Sequence, residues 1–263
     1  MQEEYVELCG GVQPTVASGM GTEDDFDEEK TLVCCGGLPC PEPCDREGKE
    51  SVTSSRRADN GITELVFILD KSGSMSGMEA DTIGGFNSML AEQKKGSGEV
   101  LVTTVLFSSR MEILHDRLPI LEVEPLTEQD YRVGGSTALY DAIGKTVKHI
   151  ETVRRYIRRA DTPSKTLFVI TTDGEENASR SYTRAEVKKT VKAQEEAGWE
   201  FLFLAANIDA FSAAEGIGIK RANAAAYSVA EETDLMYSVV SDAITCYRSR
   251  GCFEDGWASD LGD

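Results

Sequence analysis

Asp70-Lys71-Ser72-Gly73-Ser74 places one carboxylate and two hydroxyls within five residues. Two more oxygen donors stand further along, Thr137 in GGSTALYD and Asp173 in TTDGEEN. With no His or Cys among them, these side chains form a hard, all-oxygen set. Such a set suits Mg²⁺, or Mn²⁺ in its place, better than zinc or copper. Hydroxyls are neutral, so an ion held by Ser72, Ser74 and Thr137 stays electrophilic and open to an incoming carboxylate. The overlapping stretch G-S-M-S-G (73–77) suggests a second chemistry, ester hydrolysis, with Ser76 as the candidate nucleophile. A nucleophile elbow sits on a sharp turn directly off a strand, with its acid and His later in the chain. Ser76 lies six residues past Asp70, and the only two histidines are His115 and His149. The first follows an edge strand and the second falls within a long helix, so the serine lacks partners.

Each oxygen donor also has an ordinary structural role open to it. Asp70, Ser72 or Ser74 can cap the following helix, and Ser136 or Thr137 can cap the long one. Asp173-Gly174 is a common turn signal. Their joint occurrence after the strands of one α/β pattern favours the metal. ITELVFILD (62–70) is a nearly continuous apolar run, as expected for a strand buried on both faces. EADTIGGFNSMLAEQKK has helical spacing, with Ile83, Phe86, Met89 and Leu90 on one face and a Lys-Lys-Gly end. VLVTTVLFSS (100–109) is a second strand, and MEILHD with ILEVEP reads as an edge hairpin or a short strand with a return. A long helix follows over 137–159, burying Leu139, Ile143, Val147, Ile150 and Ile157. Strand 165–173, helix 183–198, strand 199–207, a short helix near 210–215, a strand near 224–229 and a helix over 233–248 complete the pattern.

Strands alternating with helices predict a doubly wound α/β fold, a mostly parallel sheet with helices on both faces. In such folds ligands collect beyond the carboxyl ends of the strands, where the strand order reverses. Asp70 and Asp173 meet there if their strands are neighbours. Glycines 73, 134, 135 and 174 let the backbone turn around a small centre.

The 263-residue chain carries a formal charge of −19, which disfavours nucleic acid as a partner and suits cations or basic surfaces. Residues 1–60 hold 14 acidic against 5 basic residues and no sustained period, so they read as a flexible acidic arm. The domain is expected over 61–250, with a short acidic tail over 251–263. Four of the seven cysteines, Cys34, Cys35, Cys40 and Cys44, crowd into the arm without the paired spacing of a zinc site. Cys246 and Cys252 stand apart near the end. No apolar run is long enough to cross a bilayer, and MQEEYVELCGG lacks the basic and apolar regions of a signal peptide, so no membrane contact and a cytoplasmic location are expected.

DKSGSMSG, GGSTALYDAIG and TTDGEEN, in this order, resemble the von Willebrand factor A domain and its metal-ion-dependent adhesion site. The resemblance covers about residues 62–248, and the phrases TALYDAIG and AANIDAF are similar to those of cytoplasmic bacterial members. It implies a Rossmann-like fold in which Ser72, Ser74 and Thr137 touch the ion and Asp70 and Asp173 act largely through water. It also implies a module that binds a partner protein's Asp or Glu and is not an enzyme, or an accessory subunit of an AAA-type ATPase with the same site. Around that centre, Glu175, Glu176 and Asn177 are expected at the rim, and Asp141 as a supporting acceptor one turn beyond Thr137. An acid of the arm is a candidate occupant of the open metal position.

Overall fold

The computed structural model describes residues 60–206, 208–227 and 233–261. Expectations for the arm and its cysteine cluster lie outside these residues. Six strands, β1 (Ile62–Asp70), β2 (Glu99–Phe107), β3 (Met111–Pro119), β4 (Lys165–Thr172), β5 (Trp199–Ala205) and β6 (Ala224–Ala226), form one sheet in the order β3-β2-β1-β4-β5-β6. Only β3 runs antiparallel, against β2. The order reverses between β1 and β4, which pair in parallel, so the ends carrying Asp70 and Asp173 are adjacent.

β1 shows why the fold is layered. All nine of its residues are buried. Leu65, Phe67 and Leu69 enter one core with Phe86, Met89 and Leu90 of α1 (Glu79–Lys95) and Met236, Val240 and Ile244 of α5 (Thr233–Arg250). Val66 and Ile68 point the other way, toward α2 (Leu139–Tyr156), α3 (Arg184–Glu196) and α4 (Ala210–Ile217). The alternation of side chains along a strand thus feeds two cores from a single apolar run. Among the described residues no helix is long and apolar enough to cross a membrane.

Three local expectations change. MEILHDRLP forms one strand, and Ile120–Glu122 is a 3-10 turn in place of a returning strand. Ile120, Val123 and Leu126 are spaced by three and turn inward instead of alternating. The Asn87 side chain bonds both the N–H and the carbonyl of Leu126 (2.7 and 2.8 Å), and so satisfies backbone groups that a strand would pair. Ile157 lies past the end of α2, where the backbone is already extended. Residues 251–261 pack onto the body instead of trailing as a tail. Phe253 stacks on Tyr247 of α5, Leu261 is buried, and Trp257 Nε1 donates to the carbonyl of Ala222 (2.8 Å).

Candidate metal centre

Asp70 ends β1 fully buried, and its two oxygens tie the switch point together. Oδ1 accepts from the Ser72 N–H (2.7 Å) and Oδ2 from Thr172 Oγ1 at the end of β4 (2.7 Å). Its carbonyl accepts from the buried hydroxyl of Tyr131. The loop after β1 is then stitched to the loop before α2. The Gly134 N–H donates to the Lys71 carbonyl (2.9 Å), and the Gly73 N–H donates to the Gly135 carbonyl (2.9 Å).

Residues Gly73–Met75 form a 3-10 turn, which brings Ser72 Oγ and Ser74 Oγ to 3.0 Å. Ser74 Oγ donates in turn to Asp173 Oδ1 at 2.6 Å. Gly174 closes the group: a Cβ there would stand 3.1 Å from Ser74 Oγ and 3.3 Å from Thr137 Oγ1. All five expected donors therefore border one small region at the carboxyl end of the sheet. Ser74 is exposed, while Asp70, Ser72, Thr137 and Asp173 are buried.

The electrostatics of this region are incomplete. Burial raises the Asp70 carboxyl above its ordinary range despite hydrogen bonds from Thr172 and Ser72, and burial raises Asp173 likewise. Among the described residues neither carboxylate has a cationic partner, and the neighbouring Lys71 pairs with Glu112 instead (2.8 Å). Asp173 Oδ2 is buried without a hydrogen bond. Buried polar atoms are normally satisfied, so an unpartnered carboxylate oxygen beside three hydroxyls fits a cation-binding centre. Among the described residues no group of three or more His, Cys, Asp or Glu side chains converges as a metal site. The centre depends on its hydroxyls.

Glu176, Asn177 and Asp141 are engaged in hydrogen bonds around the start of α2. α2 has Ala138 as its cap residue and no side-chain cap of its own, so neither Ser136 nor Thr137 fills that role. Its N-terminus is served by the loop after β4. Asn177 Oδ1 accepts from the Thr137 N–H (3.0 Å), Glu176 Oε2 from Tyr140 (2.9 Å) and Ser179 Oγ from Asp141 (2.9 Å). Glu176 also accepts from the N–H groups of Ala178 and Ser179. Glu175 is exposed. The Asp141 carboxylate takes Lys145 (2.8 Å) and the N–H groups of Ser181 (2.8 Å) and Tyr182 (2.9 Å), so it secures the following loop. Burial alone would raise its pKa, but Lys145 and those N–H groups prevail and hold it at about 2. Sequence spacing missed these capping roles because the partners are 36 to 41 residues apart.

Residues 73–77 do not form a nucleophile elbow. The centre of residues 73–77 is Met75, which is buried, so the serine spacing of an elbow is not met. Ser76 follows the 3-10 turn as its cap. His149 pairs with Asp116 (2.8 Å), and His115 is buried on β3 opposite Thr104.

The model of the von Willebrand factor type A domain matches residues 64–240. The chain belongs to that family. Domains of the family generally mediate protein–protein interaction. Among solved structures, this von Willebrand factor type A chain is similar to the vWF domain of the type V pili tip protein Mfa5 from Porphyromonas gingivalis. That match has a TM-score of 0.53 and 10% identity, and covers 73% of this chain and 98% of that one. It is also similar to a mutant of the PilB minor pilin from Streptococcus sanguinis, with a TM-score of 0.50, 11% identity and coverage of 76% and 63%. A third is proximal thread matrix protein 1 from the mussel byssus with a zinc-occupied MIDAS motif, with a TM-score of 0.46, 15% identity and coverage of 70% and 46%. For the first two the likeness, at these identities, is one of fold. The chain spans less than half the length of the mussel structures, at 46%. No curated protein matches the sequence.

Proposed function

We propose that Asp70, Ser72, Ser74, Thr137 and Asp173 hold a divalent cation, Mg²⁺ or Mn²⁺ in its place, and that the domain binds a protein partner through that partner's Asp or Glu. The observation carrying this reading is the buried, unpartnered Oδ2 of Asp173 beside the hydroxyls of Ser72, Ser74 and Thr137. Three hydroxyls and two carboxylates leave the set less negative than a carboxylate cage, which favours an added acidic ligand. When bound, the cation would supply an open coordination position for that ligand. The chain's own residues do the positioning: Thr172 and Ser72 fix the Asp70 carboxylate, Asn177 fixes the Thr137 backbone, and the exposed Ser74 leaves the centre reachable from solvent. We read the protein as a binding module and not an enzyme.

Calorimetric titration of the full chain with Mg²⁺ and Mn²⁺ tests the metal, with uptake expected in the wild type and lost in Asp173→Ala. Affinity capture in Mg²⁺ against EDTA tests the partner. A protein recovered only with Mg²⁺, and blocked by free aspartate peptide, supports the reading; equal recovery in both buffers overturns it. The capture also decides whether an AAA-type ATPase is that partner.

A further inference from the structure

The opposite end of the sheet holds a second concavity, of about 910 Å³. It lies where the last turn of α2 meets the end of α3 and the starts of β1 and β5, and its volume is that of a small-molecule site. Its walls are basic in a chain whose formal charge is −19. Four arginines fall within six residues at the end of α2, and three of them, Arg154, Arg155 and Arg159, line the cavity. The fourth, Arg158, is paired with Asp161 (2.7 Å).

Charge and hydrogen bonds assign the open donors. Arg154 is a fixed element: its guanidinium bonds the buried Glu64 (2.7 and 3.1 Å) and lies 4.7 Å from the centroid of the Trp199 ring. Glu64 is shared with Arg117, so one buried carboxylate faces two guanidiniums. Glu151, the acid among the described lining residues, accepts from Gln194 Nε2 (2.6 Å). Asn60 Nδ2 is committed to the carbonyls of Ala160 and Thr162 (2.8 Å each). Arg155 and Arg159 are exposed, and their guanidiniums make no hydrogen bond or ion pair among the described residues. A guanidinium stays charged at every physiological pH, and its planar fork matches phosphoryl oxygens in a bidentate way.

We propose that this cavity binds a phosphate-bearing small molecule, gripped by Arg155 and Arg159 with Arg154 as a fixed charge behind them. The concave shape favours a small ligand over a macromolecular surface. The site is independent of the metal centre, at the other end of the strands.

Titrating the full chain calorimetrically with inorganic pyrophosphate in EDTA tests this, since no divalent ion is then present to carry the phosphate. Saturable binding that weakens with added salt is expected. The double variant Arg155→Ala/Arg159→Ala should bind at least about tenfold more weakly. Both side chains are exposed, so its melting temperature and its Mg²⁺ uptake should match the wild type. No binding, or equal affinity in the double variant, overturns the site. Citrate run in parallel distinguishes the chemistry, and equal affinity for citrate overturns the phosphoryl assignment.

Discussion

Thr137 and Asn177 hold each other by a reciprocal pair of hydrogen bonds. The Asn177 N–H donates to the Thr137 carbonyl, and the Thr137 N–H donates to Asn177 Oδ1, both at 3.0 Å. A metal-ligand candidate before α2 is thereby positioned by the loop that also carries Asp173. Replacing Asn177 with Ala removes one acceptor and leaves the Thr137 N–H without its partner. Loss of one such hydrogen bond costs about 1 kcal/mol. We predict a correspondingly small fall in melting temperature and a larger, roughly tenfold or greater, fall in Mg²⁺ affinity, as seen for groups that orient ligands. Calorimetry and a thermal melt on the same variant check both.

Gly174 makes the next prediction, on sterics alone. Its Cβ in Gly174→Ala would sit 3.1 Å from Ser74 Oγ and 3.3 Å from Thr137 Oγ1, tighter than ordinary contact. Nothing else crowds that position, so the fold should persist while the hydroxyls are pushed apart. Reduced Mg²⁺ uptake with a nearly unchanged denaturation midpoint is the expected result. Wild-type uptake would show that the two hydroxyls tolerate the methyl.

Metal binding itself should stabilise the protein, because the buried carboxylates of Asp70 and Asp173 have no cationic partner among the described residues. A ligand at a hundred times its dissociation constant adds about 2.7 kcal/mol to the native state. Melting in saturating Mg²⁺ should therefore occur several degrees above melting in EDTA. Asp173→Ala should abolish that difference.

The layered fold was legible in the sequence because its strongest signals are local. The apolar run of β1 and the periodic α1 with its Lys-Lys-Gly end give observed bounds of 62–70 and 79–95, as expected. The convergence of Asp70 and Asp173 followed from the rule for reversed strand order, which β1 and β4 obey. What the sequence hid are interactions without a local period. Ile120, Val123 and Leu126 resemble part of a strand until Asn87, 39 residues away, takes the backbone groups of Leu126. Glu176 and Asn177 look like solvated loop polar residues because the helix end they cap starts some forty positions earlier. Trp257 looks like part of a tail because its acceptor, Ala222, lies 35 residues back.

Glu64 is a stability determinant at the base of the sheet. It is fully buried and bonded to both Arg117 and Arg154. Arg117 reaches it from an irregular stretch of β3 and has a left-handed φ of 52°, which its N–H bond to Thr103 Oγ1 (3.1 Å) helps maintain. Glu64→Ala would remove the buried carboxylate that the Arg117 and Arg154 guanidiniums share. Breaking one side of such a pair costs about 3 to 5 kcal/mol. A markedly lower urea midpoint is expected, with Mg²⁺ affinity preserved in the fraction that folds.

Asp141 gives the pH dependence. Its folded pKa of about 2 lies below the ordinary carboxylate value, so the ionised form is bound more tightly by the folded state. The stabilisation is present above about pH 4 and is lost as pH falls through the folded value near 2. With Lys145 partly exposed, about 1 to 2 kcal/mol is a reasonable magnitude. Asp141→Asn keeps an oxygen for the Ser181 and Tyr182 N–H groups but loses the charge that Lys145 sees. The variant should be less stable than wild type at pH 7, and the gap should narrow steadily below pH 4. Urea unfolding of both proteins between pH 7 and pH 3 measures it. A gap that stays constant over that range would mean the carboxylate acts through shape and hydrogen-bond geometry, with no contribution from its charge.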